Sequence, residues 1–496
     1  MATLIRLVLV LLAITFSAFA TTFEVEHKVV IVGAGISGFA AATTLLENNF
    51  TDFVVLEASD RIGGRINTVQ FGGVPVDKGA EFVHGQENNI VYDLVKPYGL
   101  LASYAPLVKS GKHIFADVTG RQYNNTLVYS LVEEAREILY QDYSEHNSSD
   151  GSVAGLFYPR LQELVTASEV DAELWEAVNQ TVTTNEMVYS AADSLDQLGL
   201  RGEGEYVENG GDQTLKWTSR GYKTIFEILS KKFPNVSEEL PIMEKVLFGK
   251  EVQGVDYGQG EGEVVLRCSD GSSYTADHVV ITVSLGVLKK HTEMFSPPLP
   301  GSKTNAIQTL GIGCVGKVFL LFPTRWWPED INVIVPMFSK KQLEDFKKNS
   351  THGYWAAYTS GFWPVMQHER MLCAWFSGEA CRIMEKLTEE EVIQGLLELL
   401  NALVGKQHQI PRPEGILRTN WASYPYTLGS YSFPTPDSDR LNVTRSHLSE
   451  PVLHHDKPVL LFAGEATHPH YWSTVHGGLA TGVREANNLL KYLQTA

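Results

Sequence analysis

The chain has 496 residues, 44% hydrophobic and 20% charged, with 42 glycines and 21 prolines. This is an ordinary globular composition and excludes a disordered chain, a collagen or a coiled coil. At about 150 residues per domain the length suggests about three domains. Fifty-eight acidic against 40 basic side chains leave a net charge of −18, the wrong sign for a phosphate-backbone partner and the right one for concentrating small cations.

Residues 1–20 carry one charge, Arg6, an apolar core over residues 7–16 and a small-x-small site at Ala18-Phe19-Ala20. That layout predicts a secretory signal peptide cleaved near Ala20, which would bring the net charge to −19 by removing Arg6. The C-terminal Tyr492-Leu493-Gln494-Thr495-Ala496 matches no retention or peroxisomal signal, so the expected location is extracellular.

The first element of the mature chain is a β-branched strand, Lys28-Val29-Val30-Ile31-Val32, of the kind buried on both faces of a parallel sheet. Gly33-Ala34-Gly35-Ile36-Ser37-Gly38 follows and leads into a helix over residues 39–48. Gly33 allows the tight turn, Gly35 a close approach to a pyrophosphate, and Gly38 the packing of helix on strand. Ser37 lies in the same loop, at the anion-binding end of the helix. The next strand, Phe53-Val54-Val55-Leu56, ends at Glu57, nineteen residues after Gly38. A carboxylate there accepts ribose hydroxyls and repels a 2′-phosphate, so FAD or NAD fits and NADP does not. Gly63-Gly64-Arg65 adds a second glycine pair and a cation that could offset phosphate charge, which suits a longer dinucleotide lying extended.

Farther along, helical periodicity covers residues 127–141, and residues 202–211 form a glycine- and glutamate-rich loop. A short helix is predicted over residues 224–232, and a hairpin turns at Asp270-Gly271 between Val264-Val265-Leu266 and Tyr274-Thr275-Ala276. Buried strands are predicted at residues 279–283 and 318–322, a capping box at Thr388/Glu391 before an amphipathic helix, a last parallel strand at residues 458–463 and a last helix over residues 477–492. Seven Asn-x-Ser/Thr sequons begin at Asn49, Asn124, Asn147, Asn179, Asn235, Asn349 and Asn442, in keeping with a secreted glycoprotein. Cys268, Cys314, Cys373 and Cys381 lack metal-ligand spacing and leave room for one disulfide or for buried thiols.

On Gly79-Ala80-Glu81-Phe82-Val83-His84-Gly85, the segment around Lys317, Gly464-Glu465-Ala466-Thr467 and Ser473-Thr474-Val475-His476-Gly477, the chain resembles the FAD-dependent amine oxidase family. The likeness runs over about residues 27–492 and is nearest to the animal spermine oxidase and acetylpolyamine oxidase branch. It implies a mixed α/β fold with a Rossmann-type FAD-binding domain assembled from residues 21–86, 212–292 and 450–496. A substrate-binding domain would be inserted as residues 87–211 and 293–449.

The resemblance also implies roles. Val252 would meet the adenine, and Gly464 and Glu465 the ribityl chain. Thr474 and Val475 would sit at the isoalloxazine, with Trp421 nearby. Lys317 would hold a water next to flavin N5, and burial could make it a proton acceptor. His84, Tyr426, Tyr431 and Thr474 would face the substrate. Taken alone, Lys317 reads as a snorkelling edge residue, His84 as a structural histidine and Glu465 as a surface carboxylate. Residues 421–434 contain no cysteine, so the FAD is expected to be non-covalent. The implied reaction oxidises a polyamine (spermine, spermidine or an acetylated form) with O2, giving an aminoaldehyde, a shorter amine and H2O2. Glu203, Glu205 and Glu208 are candidates to line the path of a polycation, or simply a solvated charge run. The alternatives are a secreted L-amino-acid oxidase, with Arg325, Arg370 or Arg418 holding a carboxylate, and a non-catalytic amine-binding protein of the same fold.

Overall fold

The computed structural model describes residues 24–104, 112–140, 151–258 and 262–495. The expected signal peptide and the Asn147 sequon lie outside the described residues. A nine-stranded sheet is built around two long neighbours, Glu24–Val32 and Ser273–Ile281, which run parallel along their whole length. The β-branched run explains this position. Val29 and Ile31 enter one core and Val30 and Val32 the core on the opposite face, all of them buried, as the two-residue period of a strand requires.

On its other edge, Ser273–Ile281 is shared. Its first half pairs antiparallel with Val264–Cys268, making the predicted hairpin, and its second half pairs parallel with Lys457–Phe462. Phe53–Leu56 and Val246–Leu247 extend the sheet beyond Glu24–Val32. One face is covered by the helix Ile36–Glu47 and the last helix, Val475–Thr495. These helices approach closely because Gly482 has no side chain: a Cβ there would lie 2.1 Å from the Ser37 carbonyl oxygen.

A six-stranded sheet holds the middle of the chain, in the order Gly415–Arg418, Val315–Leu321, Met371–Ser377, Phe362–Pro364, Ile331–Pro336, Lys112–Ala116. The sequence reading finds only residues 318–322 of this sheet. Its other strands are short apolar runs whose periodicity does not separate strand from buried helix, and the edge strand Lys112–Ala116 finds its parallel partner more than 200 residues away. Helices Asn125–Leu139, Val153–Ala167 and Ala172–Ser190 pack on one face and Glu389–Val404 on the other; the last opens with the predicted Thr388/Glu391 capping box. A small third sheet, Phe82–Val83, Leu215–Trp217 and Leu101–Ser103, joins the core of the nine-stranded sheet through Val83, Leu215 and Trp217 and touches the six-stranded sheet where Phe82 stacks on Trp375. Cys314 and Cys381 form a disulfide, and Cys268 and Cys373 are buried thiols. Among the described residues no helix is long and apolar enough to cross a membrane.

Candidate active site

Dinucleotide geometry begins where Glu24–Val32 meets the first helix. Gly33 has φ = +103°, a conformation L side chains rarely adopt. A Cβ on Gly38 would lie 1.9 Å from the Gly33 carbonyl oxygen, whereas one on Gly35 would meet nothing within 4 Å. One glycine is therefore required by packing, and the other leaves open space at a helix N-terminus, where anions bind. Gly64 (φ +55°) faces only the Gly35 Cα, and Gly464 (φ +131°) also opens onto space. Three side-chain-free positions thus form a cradle for an extended ligand.

Glu57 is buried and takes the Ala34 N–H at 2.7 Å and the Ser59 N–H at 2.9 Å, which fixes a carboxylate beside the first glycine turn. Val252 opens a strand close by, reached through Lys250, whose N–H bonds the Glu57 carbonyl at 2.8 Å.

At the far end of the cradle Glu465 is 6% exposed, not a surface carboxylate. It accepts from Arg65 Nη1 (2.8 Å), Ser432 Oγ (2.7 Å) and the Ser473 N–H (2.8 Å). Burial raises its pKa, but Arg65 and Arg445 outweigh that and hold it below the usual carboxylate range. Several site residues are engaged differently from the sequence expectation. Arg65 Nη1 bonds Glu465 and the Ser430 carbonyl, at 2.8 Å each, so its charge is shared with a carboxylate rather than reserved for phosphate. The Ser37 hydroxyl donates to the Gly478 carbonyl at 2.7 Å. The Thr474 hydroxyl donates to Tyr471 and accepts from the Gly477 N–H, capping the last helix. Val475 is the first residue of that helix, whose opening N–H groups have no intrahelical acceptor.

Lys317 lies in Val315–Leu321, flanked by strands on both sides, and is 3% exposed; it is not an edge lysine. Its Nζ donates to the carbonyls of Asp77 and Gly79 (2.9 Å each) and to Glu81 Oε2 (2.6 Å), and the Trp375 ring covers it at 4.2 Å. An ammonium has three donors, and all three are used. The resemblance expects a proton acceptor or a holder of water here; what the structure shows is an amine directed at three protein acceptors. Trp421 is buried against Gly79, whose Cβ would lie 3.2 Å from the indole.

His84 follows Phe82–Val83 and donates through Nδ1 to the Gln213 carbonyl at 2.8 Å. A carbonyl only accepts, so the proton sits on Nδ1 and Nε2 keeps a lone pair in the neutral ring. Burial pulls the His84 pKa below the usual range, which favours that neutral form. Asn209 bridges toward His476, whose pKa burial lowers to about 3.

The Tyr431 hydroxyl donates to the Val188 carbonyl, and Glu186 acts on it electrostatically. Glu186 is pushed up to about 7 and Glu203 to about 8, in each case chiefly by burial and for Glu203 also by Glu186. Glu205 and Glu208 are exposed. Tyr426 does not join Tyr431: it packs edge-on to Tyr424 and lies within electrostatic reach of Glu251 and Glu57. Sequence reasoning does not single out Glu81, Lys216 or Glu186, because their partners are remote in sequence.

The family model for flavin containing amine oxidoreductases matches residues 36–490. The chain belongs to the flavin-containing amine oxidase family. It is 32% identical to the peroxisomal N(1)-acetyl-spermine/spermidine oxidase of Bos taurus, over 93% of this chain and 94% of that one. It is 28% identical to the probable polyamine oxidase 5 of Arabidopsis thaliana, over 94% and 98%. A redesigned triple mutant of putrescine oxidase shares the fold with a TM-score of 0.64 at 19% identity, covering 95% of this chain and all of the other. The cofactor is FAD, and the open cradle of Gly35, Gly64 and Gly464 with buried Glu57 and Glu465 fits it.

Proposed function

We infer that the chain is a secreted polyamine oxidase. It would convert a polyamine, O2 and water into an aminoaldehyde, a shorter amine and H2O2. Bound FAD supplies the two-electron acceptor and the path to O2. The observation that carries the reading is the buried carboxylate Glu186, which accepts from the Tyr140 hydroxyl at 2.6 Å and acts electrostatically on both Glu203 and Tyr431. A protonated amine arriving there would offset the charge that burial disfavours. The neutral ring of His84 adds a lone-pair acceptor without adding a repelling cation. Aromatic faces such as Tyr431 suit both methylenes and ammonium groups.

The amino-acid oxidase alternative needs a cation to hold a carboxylate. Arg325 instead donates to the carbonyls of Trp327 and Pro328, Arg418 to those of Met384 and Leu387, and Arg370 to Phe322, Pro323 and Glu414. Secretion is supported by the Cys314–Cys381 bridge, which suits an oxidising compartment, and by exposed sequons at Asn49, Asn124, Asn235, Asn349 and Asn442. Asn179 is half-buried in a helix and is a poor acceptor.

The deciding experiment mixes purified holoprotein anaerobically with spermine, an acetylated spermine or L-amino acids and follows flavin absorbance. Bleaching by the polyamines is expected; bleaching by amino acids alone overturns the reading. Acid precipitation of the same sample should leave the flavin in the supernatant, as non-covalent FAD requires.

A further inference from the structure

The lysine of the central strand does not stand alone. Glu81 offers Oε2 to Lys317 at 2.6 Å and Oε1 to Lys216 in a second ion pair. The three side chains come from three separate parts of the chain. Lys317 belongs to the six-stranded sheet, where its register partner is Trp375. Lys216 lies on Leu215–Trp217, and its register partner is Phe82, the residue next to Glu81. Each ammonium is capped by aromatic faces: Trp375 lies 4.2 Å from Lys317, while Tyr104 and Phe82 lie 4.3 and 4.9 Å from Lys216. Phe82 stacks on Trp375 and closes the gap between the two cations.

Both lysines are less than one-tenth exposed, so neither can turn to water if the carboxylate is lost. Burial alone would raise the Glu81 pKa; Lys216 and Lys317 together reverse that and bring it down to about 2. The other groups facing the triad are the Asp77 carboxylate, held up at about 6 by burial, and the buried Cys373 thiol. Neither replaces Glu81, because the Asp77 carboxylate is already taken by the Thr68 hydroxyl and the Tyr222 N–H, and the thiol's pKa is raised by its burial.

We propose that Glu81 is a positioning residue. It occupies the third donor of Lys317, anchors that lysine to the Lys216 strand, and so determines which way the ammonium points in the site. The proposal rests on the amine-oxidation reading for its kinetic readout, but the triad itself can be tested without turnover.

The test combines Glu81→Gln, Glu81→Asp, Lys216→Met and Lys317→Met in the full-length holoenzyme. Glu81→Gln should lower kcat at least tenfold while KM for spermine stays within about twofold. Glu81→Asp should restore most of the rate. In the Lys317→Met background, Glu81→Gln should change kcat less than twofold. A tenfold loss of kcat in both backgrounds overturns the proposal, as does a Glu81→Asp variant as slow as Glu81→Gln. If Glu81→Gln does not accumulate as folded protein, Glu81→Gln with Lys216→Met removes one carboxylate and one ammonium, and the same readouts apply. The triad is read separately by urea unfolding. Non-additive shifts of the midpoint for Glu81→Gln and Lys317→Met support it and additive shifts overturn it, even if spermine proves to be no substrate.

Discussion

Gly35 and Gly38 lie three residues apart, one capping the first helix and one in its first turn, yet an added methyl group should act on them in opposite ways. At Gly35 the backbone is extended, with φ = −68° and ψ = −178°, which alanine adopts without strain. A Cβ there meets no protein atom within 4 Å. Gly35→Ala should therefore leave the cofactor-free fold unchanged or stabilise it by ~0.4–1 kcal/mol, through the lost freedom of the unfolded chain. The open space is where the FAD pyrophosphate is expected. Displacing one or two charge-assisted hydrogen bonds, each worth ~1.5–3 kcal/mol, costs about 3 kcal/mol or about a hundredfold in Kd.

At Gly38 the same methyl would lie 1.9 Å from a backbone oxygen, so strand and helix must separate. Overpacking of that kind costs ~1–3 kcal/mol whether or not flavin is present. Titration of stripped protein with FAD by flavin fluorescence, paired with urea unfolding, distinguishes the two. Gly35→Ala binding FAD within threefold of wild type, or destabilising the stripped protein as much as Gly38→Ala does, would refute the cradle.

Three further outcomes follow from the charges and the bridge. Glu203 holds its proton to about pH 8 in the folded chain, against 4.5 in a free side chain. The stability this brings is complete below about pH 4.5 and is lost as pH rises through 8. Glu203→Gln should remove that decline, so the gap between wild type and variant in urea midpoint should differ between pH 5 and pH 8; an identical gap counts against it. Replacing Cys314 and Cys381 together by serine frees a loop of 67 residues. By chain entropy this costs about 4 kcal/mol, and an unchanged urea midpoint under non-reducing conditions contradicts this. The net charge of −18 should draw a polycation in, so kcat/KM for spermine should fall as ionic strength rises. A flat salt profile would leave the charge a matter of solubility.

The parts of the site legible in the sequence are those whose chemistry is local. Gly33, Gly35, Gly38 and Glu57 announce themselves because a strand, a tight turn and a helix follow one another within thirty residues. Each glycine answers a backbone requirement that no side chain can meet. Apart from the family likeness, Lys317 reads only as a lysine in an apolar strand, and Glu81, 236 residues earlier, supplies what fixes it. The hydroxyl commitment of Ser37 is also illegible in the sequence, because its acceptor, the Gly478 carbonyl, lies on the last helix and is met only when the first and last helices pack. Tyr426 and Tyr431 are five residues apart and face different neighbours, because the chain reverses at Leu428 and Gly429, both with positive φ. The central sheet was lost for a related reason, since its strands pair across long intervals and leave no signal in any one window.

The hydrogen bond from Ser37 to Gly478 joins residues 441 positions apart, and the sheet beneath it is closed by Lys457–Phe462. This sets a schedule for biosynthesis. Nine-tenths of the chain must be made before the strand and helix that complete the flavin cradle exist. A closed site for the cofactor can therefore form only after nearly the whole chain has been synthesised. A nascent chain halted before residue 457 would carry every glycine of the first turn and still have no closed place to keep a flavin.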